Sequence, residues 1–201
     1  KARLAAFGVE VPEGEVCATR EAALAAAARL APVAMKAVGA DIAHKTEIGA
    51  VRLGLVSPQD VANAYDELSR ISARVLVERM APAPVAELIV GAARDPALGL
   101  HLIIGAGGVL AELLADRRIL MLPASAVDIR AALGELRVHR LLSGWRGKPA
   151  ADIDAVVAAI AAIAIFVAAH AASLDELDVN PLIVTPDRAI AVDVLLRLRE
   201  T

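Results

Sequence analysis

Near its end the chain gathers three oxygen-bearing side chains, Asp178, Asn180 and Asp193, on what reads as one small scaffold. Leu177-Asp178-Val179-Asn180-Pro181-Leu182-Ile183-Val184, followed by Ala189-Ile190-Ala191-Val192-Asp193, has the pattern of a β-hairpin turning at Pro186-Asp187 with Asn180 opposite Asp193. Side chains alternate along a strand, so Asp178 and Asn180 share a face and Asp193 joins them from the partner strand. Directly opposed residues have Cβ atoms about 4.5–5.5 Å apart. That gap suits two oxygens on one Mg²⁺, which takes ligands at about 2.0–2.1 Å and draws few of them from protein. Val179, Ile183, Ile190, Val192 and Val194 fall on the other face, apolar enough for burial. The same pattern also fits the polar outer face of an edge hairpin, and Pro-Asp is not the usual two-residue hairpin turn.

Other residues carry chemistry in the same two-sided way. Lys36 lies inside the apolar run Val33-Ala34-Met35-Lys36-Ala37-Val38. An ammonium there needs a phosphate, a salt-bridge partner or solvent, because burying it unpaired is costly. His44 and Lys45 sit in a polar loop, Gly39 to Ala50, with glycines near both ends. Imidazole can accept a phosphoryl group and a neighbouring lysine can neutralise it; an exposed polar loop is the plainer reading. Glu78 ends a strand before Arg79-Met80-Ala81-Pro82, either a routine exit or a place where backbone groups meet an adenine edge. Glu87 opens the next strand, with solvent as its default surroundings. Gly105-Ala106-Gly107-Gly108 follows a strand and suits a tight turn or a phosphate cradle, but lacks the glycine spacing of a dinucleotide fingerprint. Ser143-Gly144-Trp145-Arg146-Gly147 holds the only tryptophan, a packing anchor, and an arginine that is either an anion ligand or a loop charge.

These residues need a scaffold of alternating elements. Helices are expected over Glu21–Leu30, Pro58–Arg70 (Pro near its start, where the missing N–H costs nothing), Ser125–Leu136 and an Ala-rich stretch capped by Asp152. In the last, Ile153, Val156, Val157, Ile160, Ile163 and Val167 recur near helical period. Strands are expected over Val33–Val38, Val51–Leu55, Arg74–Glu78, Glu87–Ala93 and Leu100–Ile104. The interleaving predicts an α+β or α/β fold with two sheets. The 201 residues are ample for a core. A net charge of -3 without a long basic run argues against a nucleic-acid partner. The run Ala155–Ala169 is too short for a membrane span, and the single Cys17 fits a reducing compartment, hence a cytoplasmic location.

The order of these motifs carries more than any one of them. Pro32-Val33-Ala34-Met35-Lys36, Asp41-Ile42-Ala43-His44-Lys45-Thr46-Glu47-Ile48-Gly49-Ala50, Val77-Glu78-Arg79-Met80-Ala81-Pro82, Glu87-Leu88-Ile89-Val90-Gly91, Arg94-Asp95-Pro96, Gly107-Gly108, Gly144-Trp145-Arg146-Gly147 and Asp178-Val179-Asn180-Pro181 follow one another along nearly the whole chain. In this order the chain resembles the nucleotide-binding, ATP-grasp part of the ADP-forming acyl-CoA synthetases, a family related to the beta subunit of succinyl-CoA synthetase. It departs from the family pattern at Ala50, where a second glycine is common, and at Thr46, where a serine is.

The resemblance implies an α+β ATP-grasp fold: an N-terminal lobe of roughly residues 1–80, a C-terminal lobe of roughly 81–201, and nucleotide between them. It implies that Lys36 contacts nucleotide phosphate, that Glu78, Arg79 and Met80 hold adenine and ribose, and that Glu87 positions the nucleotide. Asn180 and Asp193 hold Mg²⁺, with ATP or ADP as substrate, and His44 and Lys45 serve phosphoryl relay. It also implies partners, namely CoA-binding and phosphohistidine-carrying domains or an alpha subunit, so the chain reads as a beta-type subunit or the C-terminal fragment of a fused enzyme. The alternative is a non-catalytic, synthetase-like regulatory module of a protein acetyltransferase. A Rossmann-type oxidoreductase is disfavoured by the glycine spacing.

Overall fold

A computed structural model of the chain describes residues 1–39, 49–108 and 115–199. Along these residues run α1 (Ala2–Ala5), β1 (Gly14–Cys17), α2 (Arg20–Leu30), β2 (Val33–Ala37) and β3 (Val51–Leu55). They continue with α3 (Pro58–Leu68), β4 (Val75–Arg79), β5 (Ala86–Asp95), β6 (Gly99–Ala106) and β7 (Arg117–Met121). The last elements are α4 (Ala126–Glu135), α5 (His139–Leu142), α6 (Ile153–Ala169), β8 (Leu174–Val184), β9 (Ala189–Ala191) and β10 (Val194–Leu198). The chain divides into two compact units, Pro12–Ala81 and Lys1–Val11 with Pro82–Thr201.

Helix starts follow from local chemistry. Thr19, Ser57, Ser125 and Asp152 each accept a hydrogen bond from a backbone N–H of the following first turn, at 3.2, 3.1, 3.2 and 3.0 Å. These groups would otherwise have no partner inside the helix. Ser125 and Asp128 form a reciprocal capping box. Those hydrogen bonds from the Ser125 side chain and backbone hold the Asp128 carboxyl below its ordinary range.

In the unit Pro12–Ala81 the sheet order is β1-β4-β2-β3, with every pairing antiparallel. Val33, Met35, Val75 and Val77 point to one face and pack with Ala23, Ala26 and Leu30 of α2 and with Val61, Tyr65 and Leu68 of α3. Alternation sends Ala34, Lys36, Leu76 and Glu78 to the opposite face.

The other unit holds a sheet of order β10-β8-β5-β6-β7, with β9 also paired to β8. Leu88, Val90, Leu102, Ile104, Leu177 and Val179 form one face. They pack against Ile129 and Leu133 of α4 and against Val156, Ile160 and Ile163 of α6. Residues 1–11 belong to this unit, a correction to a lobe of residues 1–80. Leu4 and Val9 are buried in its core, and Phe7 sets its ring edge against Phe166 at 5.2 Å. Phe166 in turn stacks on His170 at 4.2 Å, and the Ala191 N–H donates to the Glu10 carbonyl at 2.9 Å.

The terminal hairpin has the expected register: Leu182 pairs with Ala191, Val179 with Val194, and the Asn180 N–H donates to the Asp193 carbonyl at 3.2 Å. It is longer than expected. β8 extends back to Leu174 and carries two strands in turn, β9 and β10, while its other side pairs with β5. β8 therefore lies inside the sheet rather than in an edge hairpin. Near the turn both faces are buried: Leu182, Val184, Ala189 and Ala191 on one face join the core that Leu4 and Val9 also fill, and Ile183 and Ile190 are buried on the other.

Phe166→Ala should lower unfolding free energy by about 3–5 kcal/mol, the range for a buried aromatic, and loosen residues 1–11 at the same time. Ser125→Ala should cost about 1 kcal/mol. Urea denaturation measures both, and limited proteolysis reads the freed N-terminal segment.

Candidate functional site

Lys36 and Glu78, far apart in sequence, come together in the four-stranded sheet. β2 and β4 pair with Ala34 opposite Glu78 and Lys36 opposite Leu76, so the two charged side chains are diagonal neighbours on the face away from the helices. The Lys36 Nζ lies 3.1 Å from Glu78 Oε2, with side chains only 8% and 3% exposed. At that burial each charge needs a partner of opposite sign. Glycine makes the room. Gly14 pairs with Glu78 across β1 and β4, and a Cβ there would stand 2.8 Å from Glu78 Cγ and 2.7 Å from the Val77 carbonyl oxygen. With Ala34 on its other side, Glu78 lies between two small residues. Sequence reasoning missed Gly14, and only a known register could have found it.

Beyond Glu78, the Arg79 N–H donates to the Glu13 carbonyl at 2.8 Å and the Met80 N–H to the Pro32 carbonyl at 2.7 Å. A purine docked on this segment must therefore be met by carbonyl acceptors or side chains. The Arg79 guanidinium turns back toward the end of α2, donating to the Leu30 carbonyl at 3.4 Å and pairing with Glu13 at 3.3 Å.

The six-stranded sheet repeats the arrangement. One row on its helix-free face runs Leu195, Asp178, Gly91, Ile103 and Ile119 across β10, β8, β5, β6 and β7. Asn180 and Asp193 follow on the same face, as do Glu87 and Ile89 by alternation along β5. Burial, and after it the neighbouring Glu176 carboxylate, push the Asp178 carboxyl up. An Asn180 side-chain hydrogen bond opposes the rise and Asp193 adds to it. Asp193 Oδ1 accepts from the Val194 N–H at 3.0 Å. This oxygen-only set, with half-buried negative charge that a cation would stabilise, fits a hard divalent metal. Among the described residues no three His, Cys, Asp or Glu side chains form a cage; Mg²⁺ is commonly held by one or two carboxylates and water.

Glu87 also meets the glycine-rich turn. The Gly107 N–H donates to the Glu87 carbonyl at 2.7 Å, and a Cβ on Gly108 would stand 2.8 Å from Glu87 Oε2. Gly107 and Gly108 thus serve a close approach of two chain segments. His44 and Lys45 lie outside the described residues. No helix among those described is long and apolar enough to cross a membrane.

The family model for the ATP-grasp domain matches residues 1–198. The beta subunit of acetate–CoA ligase [ADP-forming] II from Pyrococcus furiosus is 30% identical over 98% of this chain and 88% of its own length. A trans-feruloyl-CoA synthase from an unknown prokaryotic organism is 34% identical over 98% of the chain, which spans only 29% of that longer protein. Among solved structures, the dinucleotide forming acetyl-coenzyme A synthetase 1 of Candidatus Korarchaeum cryptofilum, in complex with coenzyme A, Ca-AMPCP and HgCl+, aligns with a TM-score of 0.91. It is 30% identical, over 98% of this chain and 89% of that one. A second structure of that protein, in complex with coenzyme A and Mg-AMPPCP, has its phosphohistidine segment pointing towards the nucleotide binding site; it aligns with a TM-score of 0.84 at 31% identity, over 98% of this chain and 88% of that one. The chain belongs to the ATP-grasp family, within the group formed by the beta subunits of ADP-forming acetate–CoA ligases.

Lys36→Met should destabilise the protein by about 3–5 kcal/mol, because it removes the ammonium paired with a buried carboxylate. Adding Glu78→Leu should restore much of that loss, since an apolar pair of similar volume is often neutral there. Urea denaturation of the two single variants and the double variant measures the coupling.

Proposed function

We propose that this chain is the nucleotide-binding half of an ADP-forming acyl-CoA synthetase. It transfers a phosphoryl group between a phosphohistidine and ADP, coupled to interconversion of acyl-CoA and free acid. In the direction of ATP synthesis, the N–P bond of the phosphohistidine breaks as an O–P bond to the ADP β-phosphate forms. The in-register set Asp178, Asn180 and Asp193, on the sheet face opposite the one that packs on α4 and α6, carries this reading.

In this account Lys36 faces nucleotide phosphate, with Glu78 holding its ammonium in place. Residues Glu78 to Met80 border the base and ribose, and Glu87 positions the nucleotide. Asn180 and Asp193 hold Mg²⁺, and Asp178 orients Asn180 through their hydrogen bond. Bound Mg²⁺ would offset charge on the phosphates during in-line transfer. His44 is the nucleophile or relay, since a neutral imidazole is competent near pH 7 with an ordinary pKa of about 6.5, and Lys45 offsets the incoming charge. The thioester chemistry belongs to CoA-binding and phosphohistidine-carrying domains, or to an alpha subunit. The similarity to ligase beta subunits supports this over a regulatory module of a protein acetyltransferase.

Calorimetry with ADP tests the metal assignment. Wild type should bind ADP more tightly with Mg²⁺ than without, and Asp193→Asn should lose most of that difference while its thermal unfolding stays cooperative. Unchanged Mg²⁺ dependence in Asp193→Asn would show that the carboxylate pair is structural. For the relay, acid-labile phosphate formed during turnover with the partner should map to His44 and vanish in His44→Ala. Full turnover by His44→Gln would rule the relay out.

A further inference from the structure

A hollow of about 660 Å³ opens in the unit that contains Pro82–Thr201. Its wall is apolar, built from Ala86, Ala106, Val138, Leu141 and the Trp145 indole, with Arg137 and Arg140 also lining it. That volume lies within the roughly 300–1,000 Å³ range of small-molecule sites, which share this composition of apolar wall and few polar groups.

The charge around it is one-sided. Residues 137–148 read Arg-Val-His-Arg-Leu-Leu-Ser-Gly-Trp-Arg-Gly-Lys, four cations and no acid, in a chain of net charge -3. Nine of the seventeen arginines face a carboxylate among the described residues, including Arg118, which meets Glu135 at 2.7 Å, and Arg52, which meets Glu67 at the same distance. Among the described residues Arg137, Arg140, Arg146 and Lys148 form no ion pair. Among the described lining residues the one carboxylate, Glu87, packs toward Gly108.

The backbone holds the indole at the rim. Gly144, Arg146 and Gly147 all have positive φ, at 86°, 51° and 80°. For a residue with a Cβ such as Arg146 this conformation is disfavoured, and it is kept only when the surroundings fix it. Gly144 is hemmed in, since a Cβ there would stand 3.2 Å from the Lys148 carbonyl oxygen. The resulting turn leaves Trp145 46% exposed with the Arg146 guanidinium 5.8 Å from its ring centre. A large aromatic left half in water beside an apolar hollow and unpaired arginines is a combination that a ligand would complete.

We infer that this hollow is a binding site for a small organic anion with a ring-sized apolar body, its carboxylate or phosphate on Arg137 and Arg140 and its body against Trp145. Of the nucleotide residues proposed above, the described lining of the hollow includes Glu87.

The only tryptophan of the chain reports on the site directly. Phenyl phosphate is the probe, with inorganic phosphate and benzyl alcohol as its two halves. Phenyl phosphate should change Trp145 emission saturably, at least tenfold more tightly than either half, and 1 M NaCl should weaken it. Arg137→Ala with Arg140→Ala should weaken it at least tenfold while Mg-ADP affinity stays at the wild-type level. Failure to saturate by 50 mM, or equal binding by the double variant, overturns the site. So does complete displacement by Mg-ADP, which would make the hollow part of the nucleotide site. If Mg-ADP does not bind at all while phenyl phosphate saturates, the nucleotide reading fails and this one stands.

Discussion

Among the described residues each of the two sheets packs its helices on one face, and the rest of the molecule's chemistry depends on that asymmetry. A strand alternates its side chains, so packing one face on helices fixes what stands on the other. In the unit Pro12–Ala81, Met35 and Val77 go to α2 and α3, and Lys36 and Glu78 are thereby set on the opposite face. In the other unit, Val179 and Leu177 go to the helices, and Asp178 and Asn180 are set on the far side. A one-residue slip of register would reverse both faces and bury the carboxylates among the aliphatics. The hydrophobic effect thus selects the register, and the register places the charges.

Polar groups on these faces are held by local fit rather than by charge alone. Glu78 lies level because Gly14 on one side and Ala34 on the other leave it space. Glu87 approaches the turn after β6 because Gly107 and Gly108 offer no Cβ. The same economy of small residues allows a buried ion pair at 3.1 Å on β2 and β4, where a bulkier neighbour would push the carboxylate out of line.

Much of this was legible in the sequence where the signal was local. The Ala-rich helix α6 announced itself by Asp152 and by apolar residues at helical spacing, and the register of Asn180 with Asp193 followed from alternation and the turn. What failed to show was long-range. Nothing local tells that Phe7 will lie on Phe166, so residues 1–11 read as part of the first lobe. β1 and β7 were missed because their local signal is weak: Gly14-Glu15-Val16-Cys17 has little apolar alternation, and Arg117-Arg118 opens the other with two charges. The Lys36 partner was open between phosphate and carboxylate because the pairing of β2 with β4 is set by the whole sheet. The length of β8 was hidden for a related reason. Its first residues, Leu174-Asp175-Glu176, set two acids after a leucine and give no alternation of their own, and β5 and β10 supply the ladder that makes them a strand.

Amide hydrogen exchange with and without saturating Mg-ADP tests most directly whether these helix-free faces bind nucleotide. Peptides covering 75–80, 85–91 and 177–194 should exchange more slowly with Mg-ADP, while the buried helices α3 and α6 stay unchanged. Unaltered exchange in all three segments at a nucleotide concentration that saturates binding would contradict the account.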